Sequence, residues 1–157
     1  MCIRERLRSD TGRSDEYEGE SNAGKAEGRG ILRFANGDVY EGEFKADRFD
    51  GRGTYRFAGG DVYEGAYVAG KREGRGTFRH AQGHVYEGEF RAGAAEGRGT
   101  FRDARGRAEV SRYRGGRACG AGALWSADRQ TAWRLRDGEE QAEVSLDEAS
   151  ALAAQVG

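Results

Sequence analysis

The sequence predicts an all-β repeat array: an elongated, single-layer antiparallel sheet of stacked β-hairpins with a short C-terminal capping helix. Three observations carry this prediction. Tyr17, Tyr40, Tyr63 and Tyr86 recur at a spacing of 23 residues, a period that marks a stacked array rather than a conventional domain. Within each unit, apolar and polar residues alternate with period two, as strands do. Only the end of the chain shows helical spacing.

Residues 1–16, opening "MCIRERLRSD", precede the first repeat and are expected to form a poorly ordered tail. They lack the apolar core of a secretory signal. The array spans 17–126. In "YEGEFK", Tyr40, Gly42 and Phe44 point one way, and Glu41, Glu43 and Lys45 the other. In "GRGTYRF", Gly51, Gly53, Tyr55 and Phe57 share a face opposite Arg52, Thr54 and Arg56. The intervening "ADRFD" and "AGGD" read as turns. A window from Glu109 keeps Tyr113, Gly120 and Gly122 in phase, giving four clear repeats and a degenerate fifth; beyond Ser126 the phase is lost.

Glycine weakens a strand and marks close approach to the backbone. Because glycines and rings share a face, rings of one strand are expected to lie over the bare backbone of the next. Thirteen of the 16 aromatics fall on these repeat positions, so they form rows rather than a scattered core.

Residues 127–157 read differently. "TAWRLRDGEE" predicts a final strand with Trp133 and Leu135 on one face. Ser145 and Glu148 have capping-box spacing, and Leu146, Ala149, Leu152, Ala153 and Val156 make a helical apolar stripe. A short helix folded over the last edge would blunt the unpaired groups of an open sheet; a partner-binding helix is the other reading.

Composition excludes several functions. With 26 Lys+Arg against 27 Asp+Glu, no globally basic surface is available for nucleic acid. No stretch reaches the apolar length of a membrane helix. Cys2 and Cys119 make neither a disulfide framework nor metal spacing. A cytoplasmic protein without cofactor or metal is expected.

"GESNAGKA" (Gly19 to Ala26) falls one residue short of a phosphate-binding loop, with Ala26 where the Mg²⁺-holding hydroxyl belongs. Gly65, Gly70 and Lys71 repeat its spacing two units later, so the match is a by-product of the hairpin. "GRG" at Arg29, Arg52, Arg75 and Arg98 keeps a strict interval inside strands, unlike disordered RNA-binding segments. A second row, Arg33, Arg56, Arg79 and Arg102, could contact lipid headgroups. Over 17–108, however, 16 basic residues stand against 15 acidic ones, too little excess for electrostatic membrane affinity. Cross-strand Glu–Arg pairing on a solvated face is expected instead. His80 and His84 sit at repeat positions filled elsewhere by Phe or Asp and lack a converging third group. No catalytic residue is assigned.

The recurring "YEGEF", "GRGTY" and "GDVYEGEF" resemble MORN (membrane occupation and recognition nexus) repeats over Tyr17 to Ser126, about seven tenths of the chain. The resemblance implies hairpin repeats in a twisted single-layer sheet, with roles in cytoskeletal or membrane-adjacent organisation, dimerisation, partner binding along an aromatic groove, or phospholipid binding. Some members carry a catalytic domain, and no segment here is large enough for one. The chain departs from the pattern at Ser21 and Glu109.

The expected function is a non-catalytic scaffold that binds a protein partner, as an extended strand or helix, through Tyr40, Phe44, Tyr55, Phe57, Tyr63, Tyr67, Phe78, Tyr86, Phe90 and Phe101. The same rings could instead serve only to hold the sheet. The alternatives are a phosphoinositide-binding membrane adaptor using Arg33, Arg56, Arg79 and Arg102, and an accessory module of a larger enzyme. Open ends would also allow two arrays to join as a homodimer.

Overall fold

The computed structural model describes residues 2–8 and 14–156, with side chains from Asp15 onward. Its strands form one 13-stranded sheet in strict chain order, each antiparallel to the next. They are β1 (Cys2–Arg8), β2 (Ser14–Asn22), β3 (Lys25–Arg33), β4 (Val39–Lys45), β5 (Arg48–Arg56), β6 (Val62–Val68) and β7 (Lys71–Arg79). β8 (Val85–Arg91), β9 (Ala94–Arg102), β10 (Ala108–Arg114), β11 (Arg117–Trp125), β12 (Ala132–Arg136) and β13 (Glu139–Val144) complete it. Twelve interstrand steps of about 4.8 Å make a ribbon on the order of 60 Å along its contour.

Two expectations are corrected at the ends. The segment 1–16 is not simply a tail: β1 lies within it and pairs with β2, Ile3 opposite Gly19 and Leu7 opposite Asp15. Met1 and residues 9–13 lie outside the described residues. At the other end the repeat does not stop at Ser126. The turn there runs from Ser126 to Thr131, one residue longer than Phe57 to Asp61, and Arg129 takes the positive φ that Gly60 takes in its own turn. After that insertion Trp133 pairs with Leu124 as Tyr63 pairs with Tyr55. A sixth hairpin, β12 with β13, therefore stands where one final strand was expected.

The turn expected over "ADRFD" is much tighter. Ala46 and Asp47 alone reverse the chain, both at positive φ, the two-residue geometry that matches strand twist. Phe49 therefore lies within β5, on the ring face. Opposite it, Gly42 pairs with Gly53 and Phe44 with Phe49, leaving a bulge around Gly51.

Each repeat's tyrosine answers that bulge. Tyr40 lies flat on Gly53: a Cβ built there would stand 2.4–2.5 Å from the ring. Its hydroxyl donates to the Glu43 carbonyl at 2.8 Å. Tyr63 donates to the Ala66 carbonyl at 2.9 Å and Tyr86 to the Glu89 carbonyl at 3.0 Å; Tyr17 donates likewise to Glu20. Phenylalanine could cover the glycines but would leave the bulge carbonyl without this partner. Around these tyrosines runs a chain of edge-to-face rings. Tyr40 meets Phe44 at 5.0 Å and Tyr67 at 5.3 Å; Tyr63 meets Tyr67 at 5.2 Å and Phe90 at 5.1 Å. Such pairs contribute about 0.5–1.5 kcal/mol each beyond area burial.

The helix α1 (Leu146–Gln155) is capped by Ser145, whose Oγ accepts from the Glu148 amide at 3.1 Å. It does not fold over the last edge. It packs on the opposite, charged face, over β11 and β12, where Ala149 and Ala153 meet Ala123 and Ala132 beside Val110 and Trp125. Here the fifth repeat has Ala121, Ala123 and Trp125 where the fourth has Arg98, Thr100 and Arg102. The charged face has turned apolar, and the helix covers it. The β13 edge is left exposed and carries Glu139, Glu140 and Glu143. Bringing two such edges together would oppose like charges. No helix among the described residues is long and apolar enough to cross a membrane.

Candidate functional site

The ring face has two depths, which period-two alternation cannot distinguish. Of the ten rings expected to contact a partner, Tyr40 and Tyr63 are fully buried and Phe44, Tyr67, Tyr86 and Phe90 nearly so. These six build the sheet, and their burial leaves little of them for a partner to touch except where a hollow opens over Tyr86 and Phe90. Tyr40, Tyr63 and Tyr86 lie down on glycine and the ring four residues later closes over the edge of each. Over Tyr17, where Ser21 stands in that place, Phe44 of the next repeat meets the ring edge-on at 5.2 Å.

The other four, Tyr55, Phe57, Phe78 and Phe101, are half-buried and lie above that layer. Neighbouring rings join them into a ladder. Phe34 meets Tyr55 at 5.8 Å, Tyr55 meets Phe57 at 4.6 Å, and Phe57 meets Phe78 at 5.8 Å. Phe78 then meets His80 at 4.7 Å, and His84 stacks on Phe101 at 5.7 Å. Phe34, Phe49, His80 and His84 were missed as members of this surface, although Phe34, Phe57 and His80 share one repeat position.

The ladder is set by the turns. Asp38 Oδ1 accepts from the Ala58 amide at 2.7 Å, and Asp61 Oδ1 from the Ala81 amide at 2.8 Å, tying each turn to the next. His84 Nδ1 takes the same place for the Ala104 amide at 3.1 Å. Asp38 also accepts from the Tyr55 hydroxyl at 2.7 Å. Burial, and then this carboxylate, push the Tyr55 phenol above its usual range. Partial burial opposes the charge of Asp38, yet bonds from Ala58, Tyr55 and Asn36 hold its carboxyl below the usual range.

One position decides where the face is open. Residues 26, 49, 72, 95 and 118 occupy the same register site, opposite Ser21, Phe44, Tyr67, Phe90 and Tyr113, the fifth residue of each repeat. Phe49 fills it with a ring stacked on Tyr40, centroids 3.7 Å apart and planes 12° from parallel. Arg72 fills it with a guanidinium 5.5 Å from the Tyr63 ring centroid. Ala26 and Ala95 leave hollows of about 220 Å³ and 240 Å³. Residual exposure follows: Tyr17 and Tyr86 keep 4% and 6%, where Tyr40 and Tyr63 keep none.

The opposite face is a field of paired charges, as expected. Arg33 pairs with Glu18 at 3.7 Å, Arg79 with Glu64 at 3.9 Å and Arg102 with Glu87 at 3.8 Å. Arg75 pairs with Glu89 at 3.6 Å. Each is solvent-exposed, so each contributes about 0–1 kcal/mol. The pairing engages three of the four arginines proposed for lipid headgroups. Segment Gly19–Ala26, which mimics a phosphate loop, is a pair of strands joined at Ala23 and Gly24.

A family model described as MORN repeat matches residues 17–39, 40–62, 63–85 and 86–106, more than half of the chain. No curated protein matches. Among solved structures, the SAS-4 (dCPAP) TCP domain in complex with a proline-rich motif of Ana2 (dSTIL) of Drosophila melanogaster is similar at 8% sequence identity and a TM-score of 0.47. The match covers 90% of this chain and 89% of that one.

Proposed function

Because the chain belongs to the MORN repeat family, we propose that it is a non-catalytic, cytoplasmic scaffold binding a protein partner along the half-exposed layer of its ring face. The observation that supports this reading is the ladder Phe34, Tyr55, Phe57, Phe78, which keeps apolar rings partly in solvent above the buried tyrosine layer. A ring that only held the sheet together would be covered by it. Contiguous apolar surface of this kind fits an extended strand or a helix laid along the ribbon.

The reading divides the rings by role. Tyr55, Phe57, Phe78 and Phe101 contact the partner, Tyr40, Phe44, Tyr63 and Tyr67 support them, and Tyr86 and Phe90 floor a hollow beside Phe78 and Phe101. It is tested by capture of binding proteins on immobilised protein carrying Tyr55→Ser, Phe57→Ser and Phe78→Ser together. The variant should keep its β-sheet circular dichroism and lose the captured species. A second variant, with glutamate at Arg33, Arg56, Arg79 and Arg102, should capture normally. Capture lost in the arginine variant, together with co-sedimentation of the wild type on phosphoinositide vesicles at physiological salt, would transfer the function to the charged face.

A further inference from the structure

We propose that the hollow over Tyr86 receives one aromatic side chain of the partner, with an acidic residue next to that side chain engaging Arg72. This rests on the partner-binding reading above and names the chemistry the ring face selects.

The array supplies its own template for the ligand. Phe49 and Ala95 hold the same register site two repeats apart, opposite Phe44 and Phe90 respectively. In the second repeat the Phe49 ring stacks on Tyr40 and meets Phe44 edge-on at 5.6 Å. In the fourth repeat Tyr86 and Phe90 are arranged alike, edge-to-face at 5.2 Å against 5.0 Å for Tyr40 and Phe44. Only the stacking ring is absent, and the space left is about 240 Å³, walled by Phe78 and Phe101 with Ala95 and Tyr113. A planar ring that inserts there finds the parallel stack and the edge contact that Phe49 finds, on a surface already formed. Preorganisation of this sort lowers the entropic cost of binding.

Charge selects what accompanies the ring. The Arg72 guanidinium lies 5.6 Å from the Phe78 centroid and 5.5 Å from the Phe90 centroid, two rings that line the hollow. One of its nitrogens is committed to the Gly93 carbonyl at 2.5 Å. No carboxylate lines the hollow; Glu109 reaches only the hydroxyl of its Tyr113 wall, at 3.5 Å. Arg72, in contrast, sits against the faces of Phe78 and Phe90, so an acidic ligand residue beside Arg72 is favoured over a basic one. The Ala26 hollow differs, because Asp47 is part of its wall.

The test uses the full chain and three blocked dipeptides, N-acetyl and C-amide: Asp-Phe, Lys-Phe and Asp-Ala. Titrations are followed by the ¹H–¹³C methyl signal of Ala95. Asp-Phe should move that signal upfield through its ring current, with a dissociation constant on the order of millimolar for so small a ligand. Asp-Ala should not. Lys-Phe should bind about threefold more weakly, the scale of one exposed ion pair. Arg72→Gln should erase that preference and keep the ring-current shift. Ala95→Phe should remove binding of every dipeptide, and Phe49 shows that the fold accepts a ring at this site. An Ala95 methyl that does not respond to Asp-Phe, or equal affinities for Asp-Phe and Lys-Phe in the wild type, would overturn the proposal. A captured partner lost with the Tyr55, Phe57 and Phe78 variant but retained by Ala95→Phe would also overturn it, while leaving the ring face a partner site.

Discussion

Replacing Gly76 with alanine should be among the most damaging single-methyl changes in this molecule. The added Cβ would stand 2.5 Å from the Tyr63 hydroxyl oxygen, 2.6 Å from Cε2 and 2.8 Å from Cζ. Carbon atoms pack at about 3.5–4.0 Å, so the ring must lift by roughly 1 Å. Overpacking of this kind costs about 1–3 kcal/mol. Lifting the ring also breaks the 2.9 Å bond from Tyr63 to the Ala66 carbonyl, a further loss of about 1 kcal/mol. Against this, alanine regains about 0.5–1 kcal/mol of strand propensity over glycine. The net expectation is a loss of about 2–3 kcal/mol. The assay is urea unfolding in a double-mutant cycle with Tyr63→Ala. With the ring gone, Gly76→Ala should be neutral or slightly stabilising, giving a coupling of about 2–3 kcal/mol. Additive effects, or a Gly76→Ala protein as stable as wild type, would refute the argument that the tyrosine and the glycine are one structural unit.

Three further outcomes are expected. Burial pushes the Tyr63 and Tyr86 phenols up to about 12. Their folded-state pKa lies above the unfolded value, so the stability they contribute is complete below pH of about 10 and is lost as pH rises toward about 12; tyrosinate absorbance should lag behind that of a free phenol and jump on unfolding. Ala69 holds φ at 48° in its two-residue turn with Gly70, so Ala69→Asn should stabilise the array by about 0.5–1 kcal/mol in thermal melts. Ala149 is fully buried between helix and sheet; Ala149→Arg should release α1 and cost about 2–4 kcal/mol, seen as a red shift of Trp125 emission with the β-sheet circular dichroism retained.

The hairpins, their phase and the stacking of tyrosine on glycine were legible because they rest on residue types with few alternatives: only glycine leaves room for a ring against the backbone. Depth was not legible. Tyr63 and Tyr55 alternate identically in sequence, yet one lies on Gly76 and the other stands clear. Phe49 was hidden because Asp47, not glycine, closes the turn before it, which made the turn look longer than two residues. The sixth hairpin was hidden by one extra residue between Ser126 and Thr131, which shifted Trp133 off the 23-residue count. The place of the helix did have a signal. Ala121, Ala123 and Trp125 interrupt the arginine rows where α1 lands, and an apolar gap in a charged face implies a cover.

The most direct test of the two-depth ring face is site-specific photo-crosslinking, with benzoylphenylalanine placed at Phe57 on the ring ladder or at Arg79 on the charged face. The account predicts discrete protein adducts from position 57 and none of the same mass from position 79. Adducts confined to position 79 would contradict it and make the charged face the working surface.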